Sequence, residues 1–264
     1  MRPKILVNGY RWGRMFGVNP RATVTTVKNL RGFMRDLRAF RERVAQAETH
    51  MEFGDLYPCL GDAQGESGVA SGHYFHQDLL VARRVFERRP ERHIDIGSRV
   101  DGFVAHIAAF RKIEVLDIRP LKSRIPNVEF RQANLMELQA EYVACTDSVS
   151  CLHALEHFGL GRYGDPIDPD GHLKGLDGLA SLTRPGGMLY LSVPIGPQRI
   201  EFNAHRVFDV DYMLQLVRPR FEVVAFSYVD DAGDLHENVA LDPDQVRSSF
   251  GCSYGCGIFE LRRI

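Results

Sequence analysis

The fold is decided by three consecutive pieces of sequence: His-Ile-Asp-Ile-Gly-Ser at residues 93–98, Arg-Val-Asp-Gly-Phe-Val-Ala-His-Ile-Ala-Ala-Phe at 99–110, and Ile-Glu-Val-Leu-Asp-Ile at 113–118. The first piece is a short apolar run that stops at a glycine and a serine. The second piece has apolar residues at helical spacing, and the third is again an apolar run. Together they predict strand, tight turn, helix and strand, which is one βαβ unit of a doubly wound sheet.

The turn after the first strand predicts a ligand that contains adenosine. Ligands of doubly wound sheets lie across the carboxyl ends of the strands. At that edge Gly97 allows the backbone to approach a ligand closely. Asp117 ends the second strand, where its carboxylate can accept hydrogen bonds from two ribose hydroxyls.

The glycine pattern distinguishes between adenosine cofactors. Turns that bind dinucleotides have the pattern Gly-x-Gly-x-x-Gly, which receives a pyrophosphate at a helix N-terminus. Here Arg99 replaces the second glycine, and Asp101 would repel a pyrophosphate. The sequence therefore disfavours NAD and favours S-adenosylmethionine, which presents an amino-acid end and a sulfonium. The alternative is a turn without a ligand, in which Ser98 caps the helix and Gly97 only permits the bend.

Length and composition exclude several classes of protein. The 264 residues suit one α/β domain with an extension, and the balance of 33 basic and 34 acidic side chains gives no overall field for nucleic acid. The five scattered cysteines indicate reduced thiols, and Cys252-x-x-x-Cys256 has no second half that would make a metal site. We expect no signal peptide and no membrane span, hence a cytoplasmic protein. The oligomeric state stays open.

An N-terminal extension at residues 1–72 is predicted to precede a main domain at 73–264. Apolar residues between about 25 and 47 recur at the spacing of an amphipathic helix whose other face is rich in arginine. A basic face of this kind docks on a membrane surface or an acidic partner, or it is simply solvated. The acids interspersed among the arginines favour a solvated face.

The segment Gly-His-Tyr-Phe-His-Gln-Asp at residues 72–78 directly precedes the helix that leads into the first strand. It combines aromatic, imidazole, amide and carboxylate groups beside the Gly97 turn. We expect Tyr74, His76 and Asp78 to contact the methionine end of the cofactor or the acceptor. The alternative is that Asp78 or His73 only caps the helix.

Further strands follow in the order that the fold requires. A third strand at 128–131 is followed by Asn134, which can hydrogen-bond the adenine amino group, and a fourth strand ends at His153. The acidic loop from Gly159 to Gly171 is predicted to be a lid or an acceptor loop, and it lacks the spacing of a calcium site.

Several of these pieces together resemble class I S-adenosylmethionine-dependent methyltransferases. The resemblance runs from about Tyr74 to the C-terminus, and the pieces that carry it are Asp95-x-Gly97, Asp117, Ala133-Asn134-Leu135, Leu155-Glu156-His157 and Leu182-Thr-Arg-Pro-Gly-Gly-Met-Leu-Tyr-Leu-Ser-Val-Pro. It implies a Rossmann-like, doubly wound, mostly parallel seven-stranded sheet with an antiparallel last strand at 257–262, and an N-terminal helical extension. The main domain at 73–264 is then methyltransferase-like.

A narrower resemblance concerns residues 72–78 and 93–103. These segments are similar to an uncharacterised, methyltransferase-like family of unknown function that tends to occur in bacterial surface-polysaccharide gene clusters. This similarity implies a role in polysaccharide biosynthesis. With S-adenosylmethionine as the cofactor, the residues expected to bind it are Tyr74, His76, Asp95, Gly97, Ser98, Asp117, Ile118 and Asn134.

The expected catalytic residues are His153, Glu156 and His157. If a helix begins at His153, these positions are i, i+3 and i+4 and face one way over the methyl group. A sugar hydroxyl is a poor nucleophile, and an imidazole is a suitable base for it. With His205 added, the set resembles the Glu-x-x-Glu-His metal cluster of some RNA ribose methyltransferases, with a histidine for the first glutamate. A third possibility is that Glu156 and His157 only pair or cap the helix, and we assign no metal ligand.

Two classes of function follow from these patterns. The first is a methyltransferase that O-methylates a sugar, a nucleotide sugar or a surface glycan, so that its partner is a small-molecule or glycan acceptor. The second is a noncatalytic binding module of a polysaccharide assembly complex, which Arg99, Asp101 and the basic helix would suit. Binding of S-adenosylhomocysteine distinguishes the two classes.

Overall fold

The structure is a computed structural model that describes residues 15–17, 20–44, 51–62 and 67–264. The chain forms two compact units, Met1–Val69 and Ala70–Ile264. None of the helices in the described residues is both long enough and apolar enough to cross a membrane.

The first unit contains the long helix α1 (Pro20–Val44). The sequence predicted an amphipathic helix here from about 25 to 47, and residues 45–47 lie outside the described residues. Phe40 of α1 packs edge-on against Phe53 with ring centroids 5.8 Å apart. The chain that follows the helix therefore returns along it.

Acidic side chains interrupt the basic face of α1. Arg35 pairs with Asp36 at 2.8 Å and Arg38 pairs with Glu42 at 3.1 Å, and all four side chains are exposed. Exposed pairs contribute little to stability, but they neutralise part of the positive charge. Docking of this face on a membrane surface or an acidic partner stays a prediction.

The second unit is built on one mixed sheet. Its strands are β1 (His93–Ile96), β2 (Ile113–Asp117), β3 (Val128–Gln132), β4 (Thr146–Leu152), β5 (Thr183–Ile195), β8 (Phe221–Val229), β9 (Leu235–His236) and β10 (Gly255–Arg263). A separate two-stranded ribbon consists of β6 (Arg199–Glu201) and β7 (His205–Val207).

The order of strands is β3-β2-β1-β4-β5-β10-β8-β9. Strands β1 to β5 pair in parallel, whereas β10 is antiparallel to both of its neighbours. The doubly wound, mostly parallel sheet with an antiparallel last strand is thus confirmed. Because the order reverses between β1 and β4, the carboxyl ends of these strands form the switch point at which ligands of such sheets bind.

The predicted number of seven strands is wrong, because the sheet has eight. The additional strand is β9, which pairs antiparallel with the end of β8. The chain reverses between them at Asp-Asp-Ala-Gly-Asp, residues 230–234, where the Asp230 carboxylate accepts hydrogen bonds from the backbone of Ala232 and Gly233 at 2.9 and 3.1 Å. This composition is typical of hairpin turns, so the sequence contained the signal.

Helices cover both faces of the sheet. They are α2 (His73–Arg88), α3 (Ala105–Ala108), α4 (Gly171–Leu182), α5 (Val210–Val217) and α6 (Pro243–Arg247). On one face Ile94 of β1 packs in a cluster with Leu179 and Met213, which belong to α4 and α5. On the other face Val115 of β2 packs with side chains of α2 and α3. With both faces buried, the carboxyl edge of the sheet is the part left to form a site.

The helix predicted between β1 and β2 is shorter than expected. It starts as a π-helical turn, Val100–Val104, in which Gly102 has the non-helical angles φ −124° and ψ −112°. A Cβ atom on Gly102 would lie 2.6 Å from the carboxylate of Asp78, so any other residue here would have to displace this buried carboxylate. A contact between distant parts of the sequence therefore interrupts the helical pattern.

The helix predicted to begin at His153 is also wrong. His153 has a left-handed backbone with φ +50°, and it is followed only by a 3₁₀ turn, Leu155–His157. Its backbone N–H donates to the carbonyl of Ser192 in the neighbouring strand β5 at 3.1 Å. This bond keeps the residue in line with the sheet instead of allowing it to enter a helix.

Candidate functional site

A cavity of about 340 Å³ opens at the carboxyl ends of β1, β2 and β4. We call it the first cavity. Its volume is within the range of small-molecule sites. Its walls are formed by the residues that follow these strands, by the connection after β3 and by the loop 158–170, and they include Gly97, Asp117, Ile118, Arg119, Asn134, Met136, His153, Phe158, Arg162, Tyr163 and Asp165.

The turn after β1 is held from below by a buried carboxylate. Asp95 accepts hydrogen bonds from Ser98 N at 3.0 Å, from Ser98 Oγ at 2.7 Å and from Ser150 Oγ at 2.6 Å. Burial raises the pKa of Asp95 to about 6. Between Asp95 and Ser98, Gly97 adopts a left-handed conformation with φ +69°, which favours glycine. Gly97 lines the first cavity, whereas Asp95 and Ser98 shape the turn beneath it.

Arg99, which replaces the second glycine of the dinucleotide pattern, does not strain the turn. Its φ of −67° and ψ of 130° are ordinary extended values. Its side chain pairs with Asp101 at 2.8 Å and lies 5.5 Å from the ring of Tyr74. The turn thus accommodates an arginine, and this guanidinium lies at the edge of the first cavity.

Asp117 lies on the wall of the first cavity, and Arg119 already occupies its carboxylate. The guanidinium donates from Nε to Oδ1 at 3.0 Å and from Nη2 to Oδ2 at 2.6 Å. The same guanidinium lies 4.4 Å from the ring of Tyr163. Ile118, between the two charged residues, also lines the cavity. A ribose at Asp117 must therefore displace or share the arginine.

The other expected cofactor residues separate into two groups. Tyr74 and Asn134 line the first cavity, and Oδ1 of Asn134 accepts a hydrogen bond from Met136 N at 3.1 Å, which fixes the amide. His76 is not part of the cavity wall, and its ring packs edge-on against Phe75 at 5.2 Å.

A second cavity of about 470 Å³ adjoins the first. Both cavities are lined by Tyr74, His153, His157, Arg162 and Tyr163. The second cavity is lined in addition by His73, Glu156, His205 and Tyr254. A molecule in the second cavity would lie directly beside one in the first, with imidazole and phenol groups around it.

The structure brings the three expected catalytic residues together at the border between the cavities. His153 Nδ1 donates to Glu156 Oε1 at 2.7 Å, and His157 Nε2 lies 3.8 Å from the same oxygen. The turn at His153 produces this arrangement, since no helix begins there. The ring nitrogen Nδ1 of His157 donates to the carbonyl of Ala204 at 2.7 Å, which leaves Nε2 as an acceptor.

Charge distinguishes the two histidines. Burial opposes the charged form of His153, but Cys256 and Glu156 raise the pKa of His153 well above its usual value. Burial also opposes the charged form of Glu156, but His153 lowers the pKa of Glu156 below its usual value. Burial lowers the pKa of His157. His157 is therefore neutral at neutral pH, and it is the better candidate for a general base.

The loop 158–170 is held in place at both ends by a residue that sequence reasoning missed. The guanidinium of the buried Arg206 donates to the carbonyl of Phe158 at 2.6 Å and to that of Pro169 at 3.0 Å. Within the loop Asp165 accepts a hydrogen bond from the backbone of Gly159 at 2.8 Å. These contacts position Tyr163 over both cavities, and no local pattern marks Arg206 as their source.

Solved structures with the same fold include S-adenosylmethionine-dependent enzymes. The 1,6-didemethyltoxoflavin-N1-methyltransferase of Burkholderia thailandensis, solved with S-adenosylhomocysteine, is 18% identical, covers 71% of this chain and 78% of its own, and has a TM-score of 0.50. The N-methyltransferase NodS of Bradyrhizobium japonicum WM9 is 10% identical, with coverages of 74% and 99% and a TM-score of 0.50. The cyclase SpnF is 13% identical, with coverages of 76% and 89% and a TM-score of 0.51. The fold is that of class I S-adenosylmethionine-dependent methyltransferases.

Residues 104–249, more than half of the chain, match the model of the family described as "Caenorhabditis protein of unknown function, DUF268". The chain belongs to this family. No curated protein matches it. Because the family description names no reaction or substrate, the link with surface polysaccharides stays a prediction.

Proposed function

We propose that this protein transfers a methyl group from S-adenosylmethionine to an acceptor bound in the second cavity. The observation that carries the proposal is the pair of adjoining cavities at the switch point of the sheet, which share His153, His157 and Tyr163. A cofactor in the first cavity would present its methyl group to a molecule in the second. Positioning of this kind supplies up to about 7 to 11 kcal/mol in well-oriented reactions.

The residues of the first cavity fit this cofactor. Gly97 has no side chain to obstruct the amino-acid end, and Asp117 offers a carboxylate to the ribose hydroxyls. Arg119, the present partner of Asp117, is 45% exposed in its side chain and can turn into solvent. When bound, the cofactor supplies an electrophilic methyl group on its sulfonium.

The base that we propose is Nε2 of His157. This nitrogen has a free acceptor position, because Nδ1 is the atom that donates to Ala204. It belongs to a residue that lines both cavities. His157 would take the hydroxyl proton of the acceptor, while the acceptor oxygen would receive the methyl group that the cofactor supplies and a neutral thioether would be left.

The acceptor class that we propose is a hydroxyl of a sugar, a nucleotide sugar or a glycan. The polar histidine and tyrosine lining of the second cavity supports a hydroxyl-rich acceptor. Arg162 lines both cavities and pairs with no carboxylate among the described residues, since its Nη1 donates to the carbonyl of Ala204 at 2.8 Å. A guanidinium without a carboxylate partner is suited to bind a phosphate. Among the three acceptors, this favours the nucleotide sugar.

The second candidate function is a noncatalytic binding module of a polysaccharide assembly complex. The observation that favours it is the pair between Asp117 and Arg119, which fills the place of a ribose. The fold does not decide between the candidates, because fold alone does not fix a reaction.

Calorimetry with S-adenosylhomocysteine tests the proposal first. We expect a micromolar dissociation constant and a thermal shift, and no response at millimolar ligand would favour the binding module. The acceptor class is then tested with S-adenosylmethionine that carries a deuterated methyl group. Free sugars, nucleotide sugars and glycans are compared as acceptors, and mass spectrometry detects the transferred label.

A further inference from the structure

Two histidines and a cysteine from three different elements meet beside the second cavity. His73 begins α2, His153 follows β4, and Cys256 lies in β10. One ligand atom of each residue lies within 4.8 Å of the ligand atoms of the other two. Imidazole nitrogen and thiolate sulfur are the donors that zinc prefers in proteins. The sequence assigned no metal to Cys256, because the other two donors are distant along the chain.

His153 is oriented as a histidine that binds a metal. Its Nδ1 donates to Glu156 Oε1 at 2.7 Å, and the two side chains are 4% and 2% exposed. Its Nε2 is buried and has no hydrogen-bond partner among the described residues. A histidine that binds a metal through one nitrogen usually donates to a carboxylate from the other. Once the proton on Nε2 of His153 is displaced, this nitrogen is therefore oriented to bind a metal.

The cluster has a closed side and an open side. Cys256 is fully buried, and its sulfur contacts Oε1 of Gln77 at 3.7 Å. His73 and His153 line the second cavity, whereas Cys256 does not. An ion between the three donors would have protein on the side of the sulfur and the cavity on the other. Three protein ligands and one open position are the arrangement of catalytic zinc sites.

We propose that His73, His153 and Cys256 bind one zinc ion whose fourth position is open to the second cavity. Nitrogen and sulfur donors of tetrahedral zinc lie about 3.3 to 3.6 Å apart, so the cluster contracts by about 1 Å when the ion enters. The rings of His73 and His153 are stacked 5.2 Å apart, and the half-buried ring of His73 rotates to turn a nitrogen toward the ion. The ion displaces the thiol proton of Cys256 and any proton on Nε2 of His153, and these leave to solvent.

The open position gives the site a role in the proposed methyl transfer. A hydroxyl or thiol of the acceptor that binds the ion becomes more acidic, because the positive charge stabilises its conjugate base. Only this role rests on the proposed function. The binding of the metal depends on the three donors alone.

A titration of the full-length chain with Co²⁺ and then Zn²⁺ tests the site without cofactor or acceptor. Protein freed of metal by a chelator is titrated with Co²⁺ while its absorption spectrum is recorded. We expect one Co²⁺ per chain, the visible bands of a tetrahedral ion and a sulfur-to-cobalt charge-transfer band in the near ultraviolet. One equivalent of Zn²⁺ should then remove these bands.

Single substitutions identify the ligands. Cys256→Ser should abolish the charge-transfer band, and Glu156→Gln should weaken Co²⁺ binding about 10- to 100-fold. The matched control is Cys252→Ser, which changes another buried cysteine outside the cluster and should keep the spectrum. His73→Gln alters a half-buried residue at a helix start, so it should lose the metal while the metal-free protein keeps its melting temperature.

Two results would overturn the proposal. One is a wild-type chain that takes up neither Co²⁺ nor Zn²⁺, and the other is uptake that Cys256→Ser and His73→Gln leave unchanged. A failed metal titration leaves the proposed methyl transfer standing, whereas a chain that binds zinc but not S-adenosylhomocysteine contradicts the methyl transfer and keeps the metal site.

Discussion

At the residue scale, the cofactor position that we propose depends on Asp117. Its carboxylate is held by Arg119, whose side chain is 45% exposed. Exposed ion pairs contribute only about 0 to 1 kcal/mol, so a ribose can replace the arginine at a small cost. Loss of Asp117 and loss of Arg119 should therefore have opposite effects on the affinity for the cofactor.

Substitution of each member measures this competition. Asp117→Ala should weaken binding of S-adenosylhomocysteine by about 1.5 to 3 kcal/mol, because hydrogen bonds to a charged group are lost. Arg119→Ala should strengthen binding by up to about 1 kcal/mol, because the ribose no longer competes with the arginine for the carboxylate of Asp117. Calorimetry measures both, with Arg124→Ala, an exposed arginine of the same connection, as the control. Weaker binding in Arg119→Ala would show that the arginine contacts the cofactor instead.

Of the two histidines at the border of the cavities, only His157 is expected to act as the general base. His157→Gln should reduce turnover about 100-fold once an acceptor is known, because the general base is lost. Binding of S-adenosylhomocysteine should stay unchanged. Burial lowers the pKa of His157, so the acidic limb of the rate profile of the wild type should lie below the usual titration of histidine and should vanish in the variant. His236→Gln, on β9, is the matched control, and full activity of His157→Gln contradicts the assignment.

At the scale of elements, the turn after β1 is held by a buried carboxyl group, so its stability is expected to depend on pH. Burial raises the pKa of Asp95 from 3.8 to about 6, so the folded protein binds this proton more tightly than the unfolded chain. The stability that Asp95 contributes is fully present below pH 3.8 and is lost as the pH rises through about 6. A shift of this size corresponds to about 3 kcal/mol.

Asp95→Asn tests this coupling. An amide keeps an acceptor for Ser98 N, and the two serine hydroxyls can turn to accept from its nitrogen. Between pH 4 and 6 the wild type should therefore lose about 2 kcal/mol of unfolding free energy relative to the variant, and about 3 kcal/mol over the complete titration. Urea unfolding at several pH values measures the difference, and Asp78, whose pKa burial also raises to about 6, is present in both proteins. Parallel stability curves would exclude a buried proton at Asp95.

The loop 158–170 is the second element that controls the site, and Arg206 fixes its ends. Arg206→Met should destabilise the protein by about 1 to 3 kcal/mol, because the carbonyls of Phe158 and Pro169 lose a charged donor. Amide hydrogen exchange should accelerate in the loop and stay unchanged in the sheet. Arg262→Met, an arginine that pairs with Glu222 on the surface, is the control and should change neither quantity. Unchanged exchange in Arg206→Met would show that the other contacts of the loop, such as that between Asp165 and Gly159, hold it without Arg206.

At the scale of the whole molecule, the sequence predicted those features of the fold that depend on residues adjacent in the chain. The apolar runs and the Gly97 turn predicted the doubly wound sheet, since strand ends and turns depend on adjacent residues. The contacts of Arg206 with the loop 158–170, and the position of Cys256 beside His73 and His153, could not be predicted, because they join residues that are far apart along the chain. The conformation of His153 could not be predicted either. Its left-handed backbone is set by a hydrogen bond to the neighbouring strand β5, and not by the helical spacing of His153, Glu156 and His157.

The boundary of the second unit is another property of the whole molecule. The sequence predicts it between residues 72 and 73, and the second compact unit begins at Ala70. Ser71 Oγ and Gly72 N both donate to the carbonyl of Gly233, at 3.2 and 2.9 Å. Both residues therefore help to hold the start of α2 in place. His73 and Tyr74, which line the cavities, lie at this start.

Two truncated chains test this boundary. A chain of residues 70–264 should bind S-adenosylhomocysteine as the full chain does, because the described residues that line both cavities begin at His73. A chain of residues 73–264 should be less stable by about 1 to 3 kcal/mol, since two hydrogen bonds and the residue before α2 are lost. Thermal unfolding and calorimetry compare the two, and Ser71→Ala in the longer chain isolates one of the bonds. Equal stability of both chains would place the boundary after Gly72, and loss of binding by residues 70–264 would show that the first unit contributes to the site.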